Sequence, residues 1–469
     1  MVYLCPTRQL VNQVVEQAEE KYGISVHGFT GSKNDYSSVA KAEYQNADSI
    51  AITTYSSLFN VNPYFNDADI VILDDAHASE NYISMFWSLQ IDRFNPELAG
   101  LHKALCGVLK SILEPYDYAR LCGEFDEVSG HDWVDKIPTP NLIQVKDEII
   151  EVIDAHNSVA DISYPWSLIR DNLHACHIYI SPYSILIRPL IPPTWTHEPF
   201  EHPKQRIYMS ATLGVGGDLE RLMGRKSILR LPVPGDWDVQ GVGRRFFIFP
   251  EISSDQNEIN NLKMELMEKA GRSIVLVPNN NSQEIVATEV SEKLGFDIYD
   301  SESIEKSKKA FIENSKAVAI LSNRYDGMDF PKQECRLLFI DGLPRATNLQ
   351  ERFIMSRMGA ISLYNERIQT RVLQAIGRCT RSLEDYSAVV VSGESLTDYF
   401  VDIRKRKYFH PELQAELTFG VEQSKNAINS DLIENFEIFL ENGEKWEEAN
   451  NDIVAERKKI KKGIVARHR

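Results

Sequence analysis

The sequence predicts an α/β protein made of two parallel-sheet domains in tandem, the first interrupted by an insertion. Short apolar runs recur in two series: VYLCP (2–6), AITT (51–54), DIVIL (69–73) and RIYM (206–209), then RRFFIFP (244–250), SIVLVP (273–278), AVAIL (317–321), RLLFIDGLP (336–344) and SAVVVSG (387–393). Helical patterns alternate with these runs, as in parallel sheets covered on both faces. A turn-rich stretch, LPVPGDWDVQGVG (231–243), divides the two series and reads as a linker.

The first strand leads into an amphipathic helix with Leu10, Val11, Val14, Val15 and Ala18 on its apolar face, closed by Gly23. Residues 1–80 and 200–230 make up the first domain. The block between them, 81–199, is too long for a structureless loop. Helical patterns around 100–113 and 143–156 and the strand-like HIYISPYSILIRPLI (177–191) mark it as an inserted, mainly helical domain. Residues 244–410 form the second domain. From 411 to 469 the chain reads as a polar helical tail whose basic end, Arg457 to Arg469, has the pattern of a solvated segment.

The 43% hydrophobic and 25% charged content of the 469 residues is that of globular domains with substantial cores. No apolar run is long enough to span a bilayer, and the N-terminus lacks the pattern of a signal peptide, so a cytoplasmic protein is expected. Six cysteines without a CxxC pair read as free thiols. His174, Cys176 and His177 have no matching pair at zinc spacing. A net charge of -17 argues against coating nucleic acid by bulk electrostatics, although a local groove can still hold phosphates.

Three motifs carry chemistry. In VILDDAH (71–77) an apolar strand delivers Asp74 and Asp75 at its C-terminal end, where open α/β sheets present their sites. In phosphoryl transfer one such carboxylate holds Mg²⁺ and the other orients or deprotonates water. The alternative is an acidic turn capping the next helix. MSATL (209–213) places Ser210 and Thr212 just after a strand, suited to hydroxyl contacts with the nucleotide site or to a helix N-cap. In QTRVLQAIGRCTRS (369–382), read as a helix, Gln374, Arg378 and Arg381 fall at i, i+4 and i+7 on one face. Two guanidiniums aimed the same way suit a γ-phosphate, and a solvated basic face is the alternative.

In this order DDAH, SAT and QAIGRCTR resemble motifs II, III and VI of superfamily 2 helicases of the DEAD/DEAH type. CPTRQL (5–10) is similar to motif Ia, TTYSSL (53–58) to motif Ib and VLVPNNNSQE (275–284) to motif IV. NRYDGMDFP (323–331) followed by CRLLFIDGLP (335–344) resembles motif V of the XPD and DinG branch, whose arch domain occupies the place of the insertion. The resemblance implies two RecA-like domains closing around ATP and moving along a single strand, most naturally DNA. It implies that Asp74 binds Mg²⁺, Asp75 activates water and His77 couples the nucleotide to motifs III and VI. Ser210, Thr212, Gly327 and Asp329 would serve the nucleotide, with Gln374 and the arginine fingers Arg378 and Arg381. Pro6, Thr7, Arg8, Thr53, Thr54 and Asn279 would contact the strand.

Three departures matter. Asp75 stands where the family usually has Glu, and its carboxylate lies roughly 1.5 Å closer to the backbone, so the local backbone or the water must shift to match. Only Cys5 precedes Asp74, so the iron-sulfur cluster often found upstream of motif II in XPD-like enzymes is not expected. No GxxxxGK[ST] loop occurs; TGSK (30–33) is the nearest imitation. Because that loop precedes motif Ia by one strand and one helix in the family, the expectation is a chain that starts downstream of it and leaves a sheet edge unpaired. The rival reading is a nucleic-acid-binding protein on a helicase scaffold that does not hydrolyse ATP.

Overall fold

In the computed structural model of the protein all residues are described except 78, 125–132, 211–212, 214–216, 232–242, 323–328, 343–347, 360, 381, 383 and 461–469, with only the backbone described for 80, 81, 218 and 361–367. Two compact units result: Met1–Leu229 with Ala346–Tyr364, and Arg230–Arg345 with Asn365–Arg469. No helix among the described residues is long and apolar enough to cross a membrane.

In the first unit, chain order gives β1 (Val2–Cys5), β2 (Val26–Phe29), β3 (Ile50–Thr54), β4 (Ile70–Leu73), β5 (Leu89–Asp92), β6 (Asp135–Lys136), β7 (Cys176–Ile180), β8 (Ser184–Pro189) and β9 (Gln205–Tyr208). Five of these form a parallel sheet in the order β2-β3-β1-β4-β9. Its central strands are apolar because both faces are covered, and Val2, Leu4, Val71 and Leu73 are fully buried. β9 forms one edge and is less buried than β1 or β4. The expected helix spans Arg8–Tyr22. The Thr7 side chain accepts from the Leu10 amide at its start, and Gly23 ends it in the left-handed conformation at φ 60°, which glycine takes without a Cβ penalty.

Among the described residues the insertion is mainly helical, as expected, and it also carries an antiparallel sheet. HIYISPYSILIRPLI folds into the antiparallel hairpin β7–β8 at the centre of the sheet β5-β8-β7-β6. Helices Ala99–Leu109, Lys146–Ala155 and Ala160–Ile169 contribute Leu101, Leu105, Ile149 and Trp166 to a core continuous with that of the parallel sheet. The same sheet receives the helix Leu349–Ser356 from the far half of the sequence. Leu349 and Phe353 pack with Tyr179, Leu186 and Val134, and Gln350 Nε2 donates to the Tyr179 hydroxyl at 3.2 Å and the Pro189 carbonyl at 3.4 Å. Arg357 pairs with Asp135 at 2.9 Å. Residues 346–364 therefore belong to the first unit, although sequence order assigns them to the second domain.

The second unit holds β10 (Arg244–Ile248), β11 (Arg272–Val277), β12 (Asp297–Tyr299), β13 (Ala317–Ser322), β14 (Leu337–Asp341) and β15 (Tyr386–Ser392), parallel in the order β10-β15-β14-β11-β13-β12. The segment from 411 is not a tail as far as residue 460. Its helices Pro411–Ser424, Asn429–Glu441 and Glu444–Lys459 carry Leu432, Phe436, Phe439 and Trp446 into the core shared with Phe246 and Val275. The spacing 432, 436, 439 puts an apolar stripe on an otherwise polar helix. Gly420 permits the close approach of the first of these helices, since a Cβ there would meet the Phe247 carbonyl oxygen at 2.5 Å. The basic end beyond Ile460 lies outside the described residues.

Between β10 and that helix lies a buried ion pair. Arg245 Nε donates to Glu416 Oε2 at 2.8 Å and its amide to Oε1 at 3.1 Å, with both side chains buried. Burial pushes the Glu416 carboxyl up to about 7, against the pull of Arg245. A carboxyl raised above its ordinary 4.5 contributes stability that is complete below 4.5 and is lost as pH climbs towards 7. Relative to Glu416→Gln, which does not titrate, the native chain should lose up to ~3 kcal/mol across that window. Denaturant unfolding of both proteins as a function of pH checks this, and parallel curves would show Glu416 ionised throughout. For the docked helix, Gln350→Ala with Phe353→Ala should cost ~2 to 4 kcal/mol of local stability. Amide exchange should accelerate in 176–189 and 349–356 and stay unchanged in β2 and β3; uniform protection would show that the helix is not held by these contacts.

Candidate functional site

In the first unit the carboxylates sit at the C-terminal end of β4, as the sequence indicates. The Asp74 amide donates to the Leu4 carbonyl at 3.0 Å and the Ala76 amide to the Met209 carbonyl at 2.8 Å, so the turn is tied to β1 on one side and to the segment after β9 on the other. Asp75 between them has φ 47°, in the left-handed region that a side chain other than glycine rarely enters. Its amide donates to Asp74 Oδ1 at 2.9 Å, and the Ser210 hydroxyl donates to Asp75 Oδ1 at 3.3 Å. DDAH and the first residue of SAT therefore meet. Asp74, Asp75 and His77 are half-buried, and Thr212 lies outside the described residues.

Two phenols complete the surroundings. The Tyr3 hydroxyl of β1 is hydrogen-bonded to the Asp74 carboxylate; burial first, and then Asp74, push that phenol far above its ordinary range and keep it a donor. Fully buried Tyr55 donates from its hydroxyl to the Asp74 carbonyl oxygen at 2.7 Å. Burial, Asp75 and Asp74 likewise raise its phenol. The Cys5 thiol is raised by burial and by Asp74, so it stays protonated. Sequence reasoning missed both tyrosines, because a tyrosine in or beside an apolar strand reads as core.

The residues expected to touch a strand have unequal surroundings. Arg8 is exposed, whereas Pro6 is buried and Thr7 spends its hydroxyl on the helix cap. Thr53 is fully buried and donates to the Phe29 carbonyl at 2.6 Å, so it joins β3 to β2 instead of facing solvent. Thr54 forms a hydroxyl cluster with Ser56 and Ser57, at 3.0 Å to each. In the second unit Asn279 is the N-cap of helix Asn280–Leu294, accepting from the Ser282 amide at 2.9 Å.

The second unit brings the ends of motifs V and VI together. The Phe330 amide donates to the Arg378 carbonyl at 2.8 Å, and Arg378 Nη1 lies 3.6 Å from Asp329 Oδ1. The helix read over 369–382 spans Ile361–Ile376. Gln374 is on it, but Arg378 follows its end, 2% exposed, so neither the shared helical face nor the solvated face applies. Gly377 and the turn after it stop the helix. Gly327 and Arg381 lie outside the described residues.

Two adjacent carboxylates and a serine hydroxyl are hard oxygen donors, which suit Mg²⁺, an ion that takes one or two protein carboxylates and completes its shell with water and phosphate. Among the described residues no group of three or more His, Cys, Asp or Glu is arranged to hold a metal. His177 Nδ1 instead faces the Tyr179 hydroxyl at 3.1 Å, and burial pushes Cys176 up to about 12.

The DEAD/DEAH box helicase family matches residues 1–95, and the family described as helicase C-terminal domain matches residues 263–404. No curated protein sequence matches the chain. Among solved structures, one titled XPD_APO superposes with a TM-score of 0.51 at 14% identity, covering 86% of this chain and 88% of that one. Another, titled XPD_Helicase, gives 0.51 at 13% identity over 85% and 88%. The first matched range contains DDAH and four strands of the first parallel sheet, and the second contains QAIGRCTR and most strands of the second sheet. The chain belongs to the superfamily 2 helicases and has the fold of their XPD branch.

Proposed function

We propose that this chain is an ATP-dependent helicase or translocase acting on single-stranded nucleic acid, DNA rather than RNA. The observation that carries the reading is the meeting of Asp74, Asp75 and Ser210 at the C-terminal ends of parallel strands. Asp74, with Asp75 beside it, would hold Mg²⁺, which when bound neutralises phosphate charge. Asp75 is the base: its carboxylate, steadied by the Ser210 hydroxyl, takes a proton from water. Within the second unit, Arg378 beside Asp329 offers a guanidinium suited to a phosphate. The choice of DNA rests on resemblance to the XPD and DinG branch, and the cytoplasm remains the expected location.

A specific observation favours a second reading. The 469 residues contain no GxxxxGK[ST], so the amide cradle that such motors use for the triphosphate is not among the residues named here. A strand-binding protein on a helicase scaffold would need none.

Single-strand-stimulated ATP hydrolysis separates the two readings. The expected outcome is turnover that falls by ~100-fold or more in Asp74→Ala and in Arg378→Lys, which keeps the buried charge but not the planar fork. Strand binding with no hydrolysis above that of Asp74→Ala would select the scaffold reading.

A further inference from the structure

The segment after β3 and the Asp74–Asp75 turn are joined by a buried hydrogen bond from the Tyr55 hydroxyl to the Asp74 carbonyl oxygen, 2.7 Å long. That carbonyl belongs to the peptide linking the two aspartates. The N–H of the same peptide donates to Asp74 Oδ1 at 2.9 Å. The peptide plane is thus held at both ends, by Tyr55 at its oxygen and by the Asp74 carboxylate at its nitrogen. Tilting the plane changes φ of Asp75 and moves the Asp74 carboxylate together.

Tyr55 cannot yield by bending. Its ring is fully buried and stacks on Tyr82 at 5.7 Å and 16°, and Tyr82 lies on the helix Ser79–Phe86 that follows the turn. Its phenol also lies beside Ser79, whose hydroxyl donates to the Ala76 carbonyl at 2.6 Å. The residues on either side of Tyr55 point elsewhere. The Thr54 hydroxyl lies 3.0 Å from those of Ser56 and of Ser57, with Ser56 exposed and Ser57 half-buried. Hydroxyl and amide groups so grouped are the kind that contact a nucleic-acid backbone. Because Tyr55 shares its main chain with that cluster, any shift of the cluster on seating a strand must carry the Asp74 carbonyl with it or cost it a buried donor.

We propose that Tyr55 is a positioning residue that transmits occupancy of the Thr54–Ser56–Ser57 hydroxyl cluster by a single strand to the metal-binding geometry of Asp74. This rests on the reading that the chain binds a strand and that Asp74 binds a divalent cation, and it names the link between the two.

The test uses the full chain and Mn²⁺ as the probe, with free Mn²⁺ followed by electron paramagnetic resonance with and without saturating oligothymidylate. The strand should change Mn²⁺ affinity about fivefold or more in the native chain, the lower range of coupling between sites. Tyr55→Phe keeps the ring and removes only the hydroxyl, and should reduce that change to within about twofold of none while the strand still binds. Tyr44→Phe removes another phenol–aspartate hydrogen bond of the same unit and should keep the full response. Should Tyr55→Phe fail to fold, Ser56→Ala with Ser57→Ala removes the surface hydroxyls instead and should abolish the response. No response in the native chain, or an undiminished one in Tyr55→Phe, overturns the coupling alone. Mn²⁺ binding that survives Asp74→Ala overturns the metal assignment, and the coupling with it.

Discussion

The two carboxylates stand where they do because main-chain hydrogen bonds tie the end of β4 to both of its neighbours. Leu73, at the last paired position, lies between Leu4 of β1 and Tyr208 of β9. The Asp74 amide then reaches the Leu4 carbonyl, and the Met209 amide reaches the Leu73 carbonyl. Since parallel register fixes these partners, a slip of one residue in β1 or β9 would turn Asp74 away from Tyr3, or Asp75 away from Ser210. The hydrophobic faces of β1 and β4 hold that register, so the polar site depends on Val2, Leu4, Val71 and Leu73.

Much of the fold could be read from the sequence, for a physical reason. Strands buried on both faces are continuous apolar runs, and those runs are where β1, β3, β4, β9, β10, β11, β13, β14 and β15 lie. What escaped were elements whose burial is one-sided or supplied from a distance. β12 is the three residues DIY, half-buried, with no apolar run to announce it. The helices from Asn429 to Lys459 fully bury only a few side chains each, so their composition reads as a tail. The helix Leu349–Ser356 is stabilised by Tyr179, about 171 positions away, and no local pattern encodes such a contact.

The site divides in the same way. Asp74 and Asp75 were legible because two adjacent carboxylates after an apolar strand are unusual, and Ser210 because a small polar residue follows another. The surrounding tyrosines were not, since a phenol's second role shows only when its partner does. Asp75 is instructive. As the shorter acid it was expected to need a shift of the local backbone or of the water, and the turn has φ at 47° there. Holding a side-chain-bearing residue in that region costs roughly 1 kcal/mol or more. Here the constraint is met by the Ser210 hydroxyl on its carboxylate and by the peptide anchors on either side.

Arg378 poses the complementary question of how a cation can be held in a buried position. At 2% exposure it requires a compensating charge, which Asp329 supplies. The distance of 3.6 Å is too long for a hydrogen bond, so the pair is held by charge and not by a fitted fork. The Phe330 amide on the Arg378 carbonyl meanwhile fixes the main chain, so the charge pair and the main-chain bond together join the residues after Gly377 to those around Asp329.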